Sequence, residues 1–144
     1  MKRSDRVFFN MARQVSFLSD YHGPHMGCVC VDGHRVVTSG HNAMKTNPMQ
    51  HRYNRFRDFD PKYPARVHAE VSALNSLIGK EVDFSKLTLY VYREHKDGSP
   101  AMARPCKSCM ALIKNLGIKK VFYTTDDGFA EEKIEYQYIN NHSL

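Results

Sequence analysis

Between Asp5 and Asp20 the chain places Val7, Phe8, Met11, Ala12, Val15 and Leu18 at steps of three and four residues. That is the stripe of an amphipathic helix, expected over 5–20 and stopped by His22-Gly23-Pro24. The period then shortens. Cys28-Val29-Cys30-Val31 and Arg35-Val36-Val37-Thr38 are β-rich runs flanking Asp32-Gly33-His34, and Asp-Gly between two such runs is a strong hairpin signal. From His41 to Ala65 no period holds, and Pro48, Pro61 and Pro64 punctuate a stretch rich in arginine and aromatic residues. A long loop with room for one short helix is expected there, and loops of that length commonly carry function.

Helical spacing returns over 67–77 through Val71, Leu74 and Leu77, with Gly79 placed to end the element. Leu87 to Tyr92 reads as a buried strand, Cys106 to Leu116 as a helix closed by Gly117, and Lys120 to Thr124 as another strand. This alternation implies a layered α/β domain. Ile134, Tyr136 and Tyr138 alternate with Glu135 and Gln137, which suggests a fifth strand, although the same segment is also compatible with a short terminal helix. A parallel return needs a crossover of about a dozen residues or more. The few residues after Thr124 do not supply one, so the last two strands are expected to pair antiparallel.

Composition narrows the setting. The 144 residues suit one domain spanning 1–144, and 42% hydrophobic with 25% charged residues is ordinary for a globular chain. The start, Met1-Lys2-Arg3-Ser4-Asp5-Arg6, leads into no uninterrupted apolar run, and no later stretch approaches a membrane span. A soluble cytoplasmic protein with no membrane partner is expected. There the four cysteines stay reduced, so metal binding or burial explains them better than disulfides. Cys28 and Cys30 share one strand face and read as core. The net charge of +6 suits an anionic ligand, either a nucleotide or a polynucleotide.

The chemistry concentrates in two short pieces, each at a helix start: His68-Ala69-Glu70 and Pro105-Cys106-Lys107-Ser108-Cys109. One imidazole and two thiolates make three zinc ligands, and three protein ligands leave the open position of a catalytic zinc. The positive end of a helix favours the thiolate form. Glu70, two positions beyond His68, is placed as the proton carrier beside the metal. A structural zinc would need a fourth ligand, for which His95 is the candidate within reach.

H-x-E followed by P-C-x-x-C is the pattern of zinc-dependent base deaminases. On these pieces the chain resembles the cytidine and deoxycytidylate deaminase superfamily. The resemblance extends to the hairpin ending in Ser39-Gly40-His41-Asn42, the strand from Leu87 to Tyr92, and Gly117-Ile118-Lys119-Lys120-Val121. It implies a three-layer α/β/α sandwich with a mixed central five-stranded sheet, one Zn2+ per chain, and hydrolytic removal of a base amino group. It also implies a substrate site in which Asn42 meets the sugar, with His41 and Ala69 near the base. Two departures stand out. Ala103-Arg104 precede the cysteine motif where the tRNA adenosine and deoxycytidylate branches commonly have an acidic or aromatic residue, and an extra loop runs from Glu94 to Met102. The expected closing hairpin looks more like the free-nucleoside and toxin-type branches.

The substrate expected first is a cytosine nucleotide such as dCMP, with its phosphate on a cation among Lys45, Arg52, Arg55, Arg57 and Arg66. A second reading is single-stranded DNA or RNA, because Arg52, Tyr53, Arg55, Phe56, Arg57, Phe59, Lys62, Tyr63 and Arg66 interleave cations with rings. Free nucleoside is an alternative, and a non-catalytic zinc module is a third class of reading. Whether the unit is a homo-oligomer stays open.

Overall fold

The computed structural model describes residues 1–56 and 65–134. In chain order the elements are α1 (Arg3–Ser16), β1 (Met26–Asp32), β2 (Arg35–His41), α2 (Pro48–Tyr53) with a 3-10 turn over Asn54–Phe56, α3 (Ala69–Asn75), β3 (Leu87–Arg93), α4 (Lys107–Leu116), β4 (Lys120–Thr125) and β5 (Gly128–Lys133). The five strands form one mixed sheet in the order β2-β1-β3-β4-β5. β1 runs antiparallel to both β2 and β3, β3 and β4 are parallel, and β4 and β5 are antiparallel. The parallel step is made by α4, since joining two parallel strands requires a crossover.

Strand side chains alternate between faces, and this divides the core in two. On one face Val29, Val31, Tyr90, Tyr92 and Phe122 pack against Phe8, Phe9 and Ala12 of α1. On the other, Cys28, Cys30, Leu89, Val91 and Val121 pack against Leu74 of α3 and Leu112 and Ile113 of α4. Both cysteines of β1 are fully buried there. The result is three layers, with α1 the helix on one side among the described residues.

Two glycines allow the helices to sit this close. A Cβ on Gly27 would lie 2.0 Å from the Ala12 carbonyl oxygen of α1, and one on Gly40 would lie 2.4 Å from the Ala73 nitrogen of α3. Neither neighbour is a flexible side-chain tip, so any larger residue would push a helix off the sheet.

Three sequence expectations change. Helix α1 ends at Ser16 rather than near 20, because the chain is drawn back to the sheet, where the Ser19 hydroxyl donates to Asn42 Oδ1 at 2.7 Å. Its buried stripe is also rotated: Phe9 is buried, while Val7 and Leu18 are exposed. Helix α3 ends at Asn75 with Ser76 as its C-cap, and Gly79 takes its positive φ of 85° beyond it. A strand that the sequence reading did not single out, Gly128–Lys133, comes just before the segment from Ile134. The turn through Thr125 and Gly128 is tight enough to start the return at once, with Thr125 opposite Gly128 in register. The alternating residues from 135 onward, including Tyr136 and Tyr138, lie outside the described residues. Among the described residues, no helix is long and apolar enough to cross a membrane.

Candidate metal centre and substrate cavity

His68 is the N-cap of α3 and Cys106 the N-cap of α4, both in extended backbone conformation. Each side chain therefore leaves the backbone just before its helix starts winding. Cys109 follows one turn into α4, on the same side as Cys106, because residues three apart on a helix are neighbours. The two helix starts meet: Cys106 Sγ lies 3.5 Å and Cys109 Sγ 3.3 Å from His68 Nδ1. All three donor atoms fall within 4.8 Å of one another.

This donor set fits zinc. Tetrahedral zinc with sulfur at about 2.3 Å and nitrogen at about 2.0–2.1 Å holds adjacent donors about 3.5–3.8 Å apart, close to the separations from the imidazole seen here. His95 does not join them, since its Nε2 lies 3.0 Å from Asp126 Oδ1 on the surface. Among the described residues three side chains could hold such an ion, and a tetrahedral ion on those three would keep one position open.

Glu70, in the first turn of α3, is 2% exposed. Burial raises its pKa; the neighbouring His68 works against that rise and Cys106 adds to it. The thiols are coupled. Cys109 donates to Cys106, which lowers the Cys106 pKa against the cost of burial, with further help from His68, and the same donation together with burial raises that of Cys109.

Gln50, which the aperiodic loop gave no reason to single out, ties the two helix starts together. It is fully buried. Its Oε1 accepts the His68 backbone N–H at 2.9 Å, and its Nε2 donates to Asn54 Oδ1 at 2.8 Å and to Ser108 Oγ at 3.4 Å. Ser108 Oγ in turn lies 3.0 Å from Cys106 Sγ. Asn47 caps α2 through Met49 and Gln50, which fixes the turn that carries Gln50.

A cavity of about 160 Å3 opens beside His68. Tyr21, Pro24, Met26 and Val67 supply its apolar wall, and Asn42, Arg66 and Arg93 its other polar groups. Drug-sized sites run to about 300–1,000 Å3, so this one suits a single ring with the rest of a ligand outside. Larger clefts exist elsewhere. The one of about 760 Å3 lies on the α1 side of the sheet among Lys2, His34, Lys120 and Phe129, and none of His68, Cys106 and Cys109 lines it.

The other sequence candidates separate. Asn42 lines the cavity, but its side chain also serves the fold: Oδ1 accepts from Ser19 Oγ and the Met26 amide, and Nδ2 donates to the Pro24 carbonyl. The His41 ring turns to the Asn42 carbonyl at 3.0 Å instead of facing the cavity. Ala69 is fully buried under β2. Lys45 and Arg52 are exposed and away from the cavity lining. The Arg55 guanidinium sits 4.7 Å over the Phe56 ring, in a groove with Tyr53 and Lys114 on the outer side of α4. Arg57, Phe59, Lys62 and Tyr63 lie outside the described residues. Of the five expected phosphate cations, Arg66 is the described one that reaches the cavity. Arg93, which sequence reasoning passed over, reaches it too.

The family model for the cytidine and deoxycytidylate deaminase zinc-binding region matches residues 2–125. The chain belongs to the cytidine and deoxycytidylate deaminase family. Among solved structures it is similar to the dCMP deaminase of cyanophage S-TIM5, at 22% identity and a TM-score of 0.60 over 85% of this chain and 84% of that one. The same enzyme in complex with dCMP and dUMP matches equally, with 82% of its chain covered. The cytidine deaminase of Burkholderia pseudomallei matches at 16% identity with a TM-score of 0.62, covering 92% of this chain and 93% of that one. No curated protein sequence matches. At these identities the structural likeness speaks for the fold, while the family rests on the match over residues 2–125.

Proposed function

We propose that this member of the family is a zinc-dependent hydrolase that removes the exocyclic amino group of cytosine in a nucleotide such as dCMP, giving dUMP and ammonia. The observation that carries the reading is the buried carboxyl of Glu70 on the same helical turn as His68, with Cys106 and Cys109 against the imidazole and a ring-sized cavity beside it.

His68, Cys106 and Cys109 would hold the ion. When bound, zinc acts as a Lewis acid that makes water nucleophilic near neutral pH. The remaining work falls to the chain. Glu70 accepts a proton from the attacking water and passes it to the ring nitrogen next to the amino-bearing carbon. It then takes the second proton from the newly bound oxygen and delivers it to the amino group, so that the bond from carbon to the amino nitrogen breaks, ammonia leaves and the carbonyl forms. Burial suits this task, because a carboxyl with a raised pKa holds a transferred proton better than a solvated one. The walls formed by Tyr21, Met26 and Val67 would clasp the ring.

The test is ammonia release from deoxycytidine, cytidine, dCMP, CMP, adenosine and a short single-stranded oligonucleotide, with the parent and Glu70→Gln run side by side. Turnover of a cytosine nucleotide is expected, falling by roughly 10²–10⁴-fold in the variant while zinc content holds. An inactive parent on every cytosine compound, or a variant as fast as the parent, removes the reading.

A further inference from the structure

Arg93 is the last residue of β3, and register places it opposite Met26 at the start of β1. The Met26 amide is held in turn by Asn42 Oδ1 at 2.9 Å. Asn42, Met26 and Arg93 therefore stand in a row at one end of three adjacent strands, on the wall of the cavity that His68 also lines. The backbone at Arg93 is fixed: its N–H donates to Thr124 Oγ1 at 3.1 Å, and that buried hydroxyl also donates to the Ala101 carbonyl at 2.6 Å.

The guanidinium is less well provided for. One terminal nitrogen donates to the Met102 carbonyl at 3.3 Å, and the buried Nε has no hydrogen-bond partner among the described residues. Arg66, on the same cavity, donates to the Met44 carbonyl. Among the described residues neither arginine is in an ion pair, whereas Arg13 and Arg104 bind Glu94 and Glu132. Two cations facing one cavity, one of them with a buried donor to spare, make an anion seat, and guanidinium geometry suits phosphate oxygens.

Position sharpens this. The cavity accommodates a ring but not a whole nucleotide, so a phosphate must project from its mouth. Arg93 is at that mouth: it lines both the cavity and an adjoining cleft of about 560 Å3, where His22, His25 and Lys96 add basic groups and Glu94, engaged by Arg13, a carboxylate. We infer that Arg93, with Arg66 alongside, is the specificity-determining residue that binds the phosphate monoester of the substrate nucleotide. The inference rests on the deaminase reading above for its choice of base.

The experiment compares kcat/KM for dCMP and deoxycytidine in the parent, Arg93→Gln, Arg93→Lys and Arg66→Gln, each checked for folding by circular dichroism. Calorimetric binding of dUMP and deoxyuridine to the same proteins accompanies it. The parent should favour dCMP. Arg93→Gln should cut the nucleotide-over-nucleoside ratio by roughly 10- to 100-fold, as expected for loss of a charge-assisted contact. Arg93→Lys should fall between the two, keeping the charge without the fork, and Arg66→Gln should lower the ratio less. A purely structural role would depress both substrates together and leave the ratio unchanged, which overturns the proposal. So does a parent that treats dCMP and deoxycytidine alike, or one that prefers a short single-stranded oligonucleotide, which offers only phosphodiesters, to dCMP. If no cytosine compound is deaminated, the function fails by itself. The dUMP-over-deoxyuridine binding ratio in the parent and in Arg93→Gln then still decides the phosphate seat.

Discussion

On the α1 face of the sheet, buried polar atoms come in pairs that need nothing further. The Tyr90 hydroxyl donates to Asp5 Oδ1 at 2.6 Å, and Asp5 also accepts from the Lys2 amide. Tyr92 donates to Glu94, which Arg13 also reaches. On the opposite face, the buried groups around Glu70 pull on one another's protons: burial raises Glu70, donation to Cys106 together with burial raises Cys109, and that donation with the nearby His68 and Ser108 holds Cys106 low against burial. Burying ionisable groups without full mutual compensation is costly, and a cation among the donors would relieve that cost. The larger cleft lies on the satisfied face and the reactive cluster on the other. Cavity size is thus a poorer guide to chemistry here than the state of the polar groups.

The comparison breaks most visibly if the site face does not need a metal. Cys109→Ser and Cys106→Ser should each leave less than stoichiometric zinc on purified protein and no measurable turnover, since a hydroxyl is a far weaker ligand than a thiolate at neutral pH. Elemental analysis alongside an activity assay reads both. Full zinc occupancy in either variant would mean that the three donors do not form the ligand set.

Gln50 provides the next test, because it orients ligands without being one. Gln50→Leu removes the acceptor of the His68 N–H and the donor to Ser108. Loss of such supporting contacts typically weakens metal affinity by ~10–100-fold. Zinc affinity, measured by competition with a chelating dye, should fall by that amount, and added zinc should restore part of the turnover. A variant of lower melting temperature but unchanged zinc affinity would make Gln50 a packing residue only.

Why Gln50 and Arg93 escaped sequence reasoning, while His68, Glu70, Cys106 and Cys109 did not, has a physical answer. The latter four form two pairs, His68 with Glu70 and Cys106 with Cys109, each at a short spacing fixed by one helix turn, so sequence separation alone brings the members of each pair together, and the fold joins the pairs. The hairpin at Asp32-Gly33 and the helix closed by Gly117 were legible for the same reason: turn chemistry is local. Gln50 meets His68 only because a capped turn inside a loop without hydrophobic period folds back onto α3. Arg93 looks like a solvated strand end until the register with Met26 puts it on the cavity. Strand β5 went unread because Gly128–Lys133 is a half-exposed edge strand, with Glu131, Glu132 and Lys133 as three of its six residues. Its alternation lies in exposure, while the apolar-polar alternation of the sequence lies just beyond it.

The smallest expected effect lies on the satisfied face. Tyr90→Phe deletes one hydroxyl and keeps the ring that stacks on Phe122 at 4.8 Å between centroids. Asp5 keeps its contact with the Lys2 amide but loses the shorter of its two bonds. A hydrogen bond to a charged group contributes about 1.5–3 kcal/mol, so a urea midpoint should drop by that equivalent at unchanged slope. Zinc content and kcat of the folded fraction should not move, because Tyr90 points away from the face that carries Glu70. The strand itself makes the result informative. β3 carries Tyr90 on one face and ends three residues later at Arg93 on the cavity. If Tyr90→Phe lowered kcat or changed the preference for dCMP over deoxycytidine, β3 would be transmitting strain from the α1 face to the site. The separation of a structural face from a chemical one would then fail.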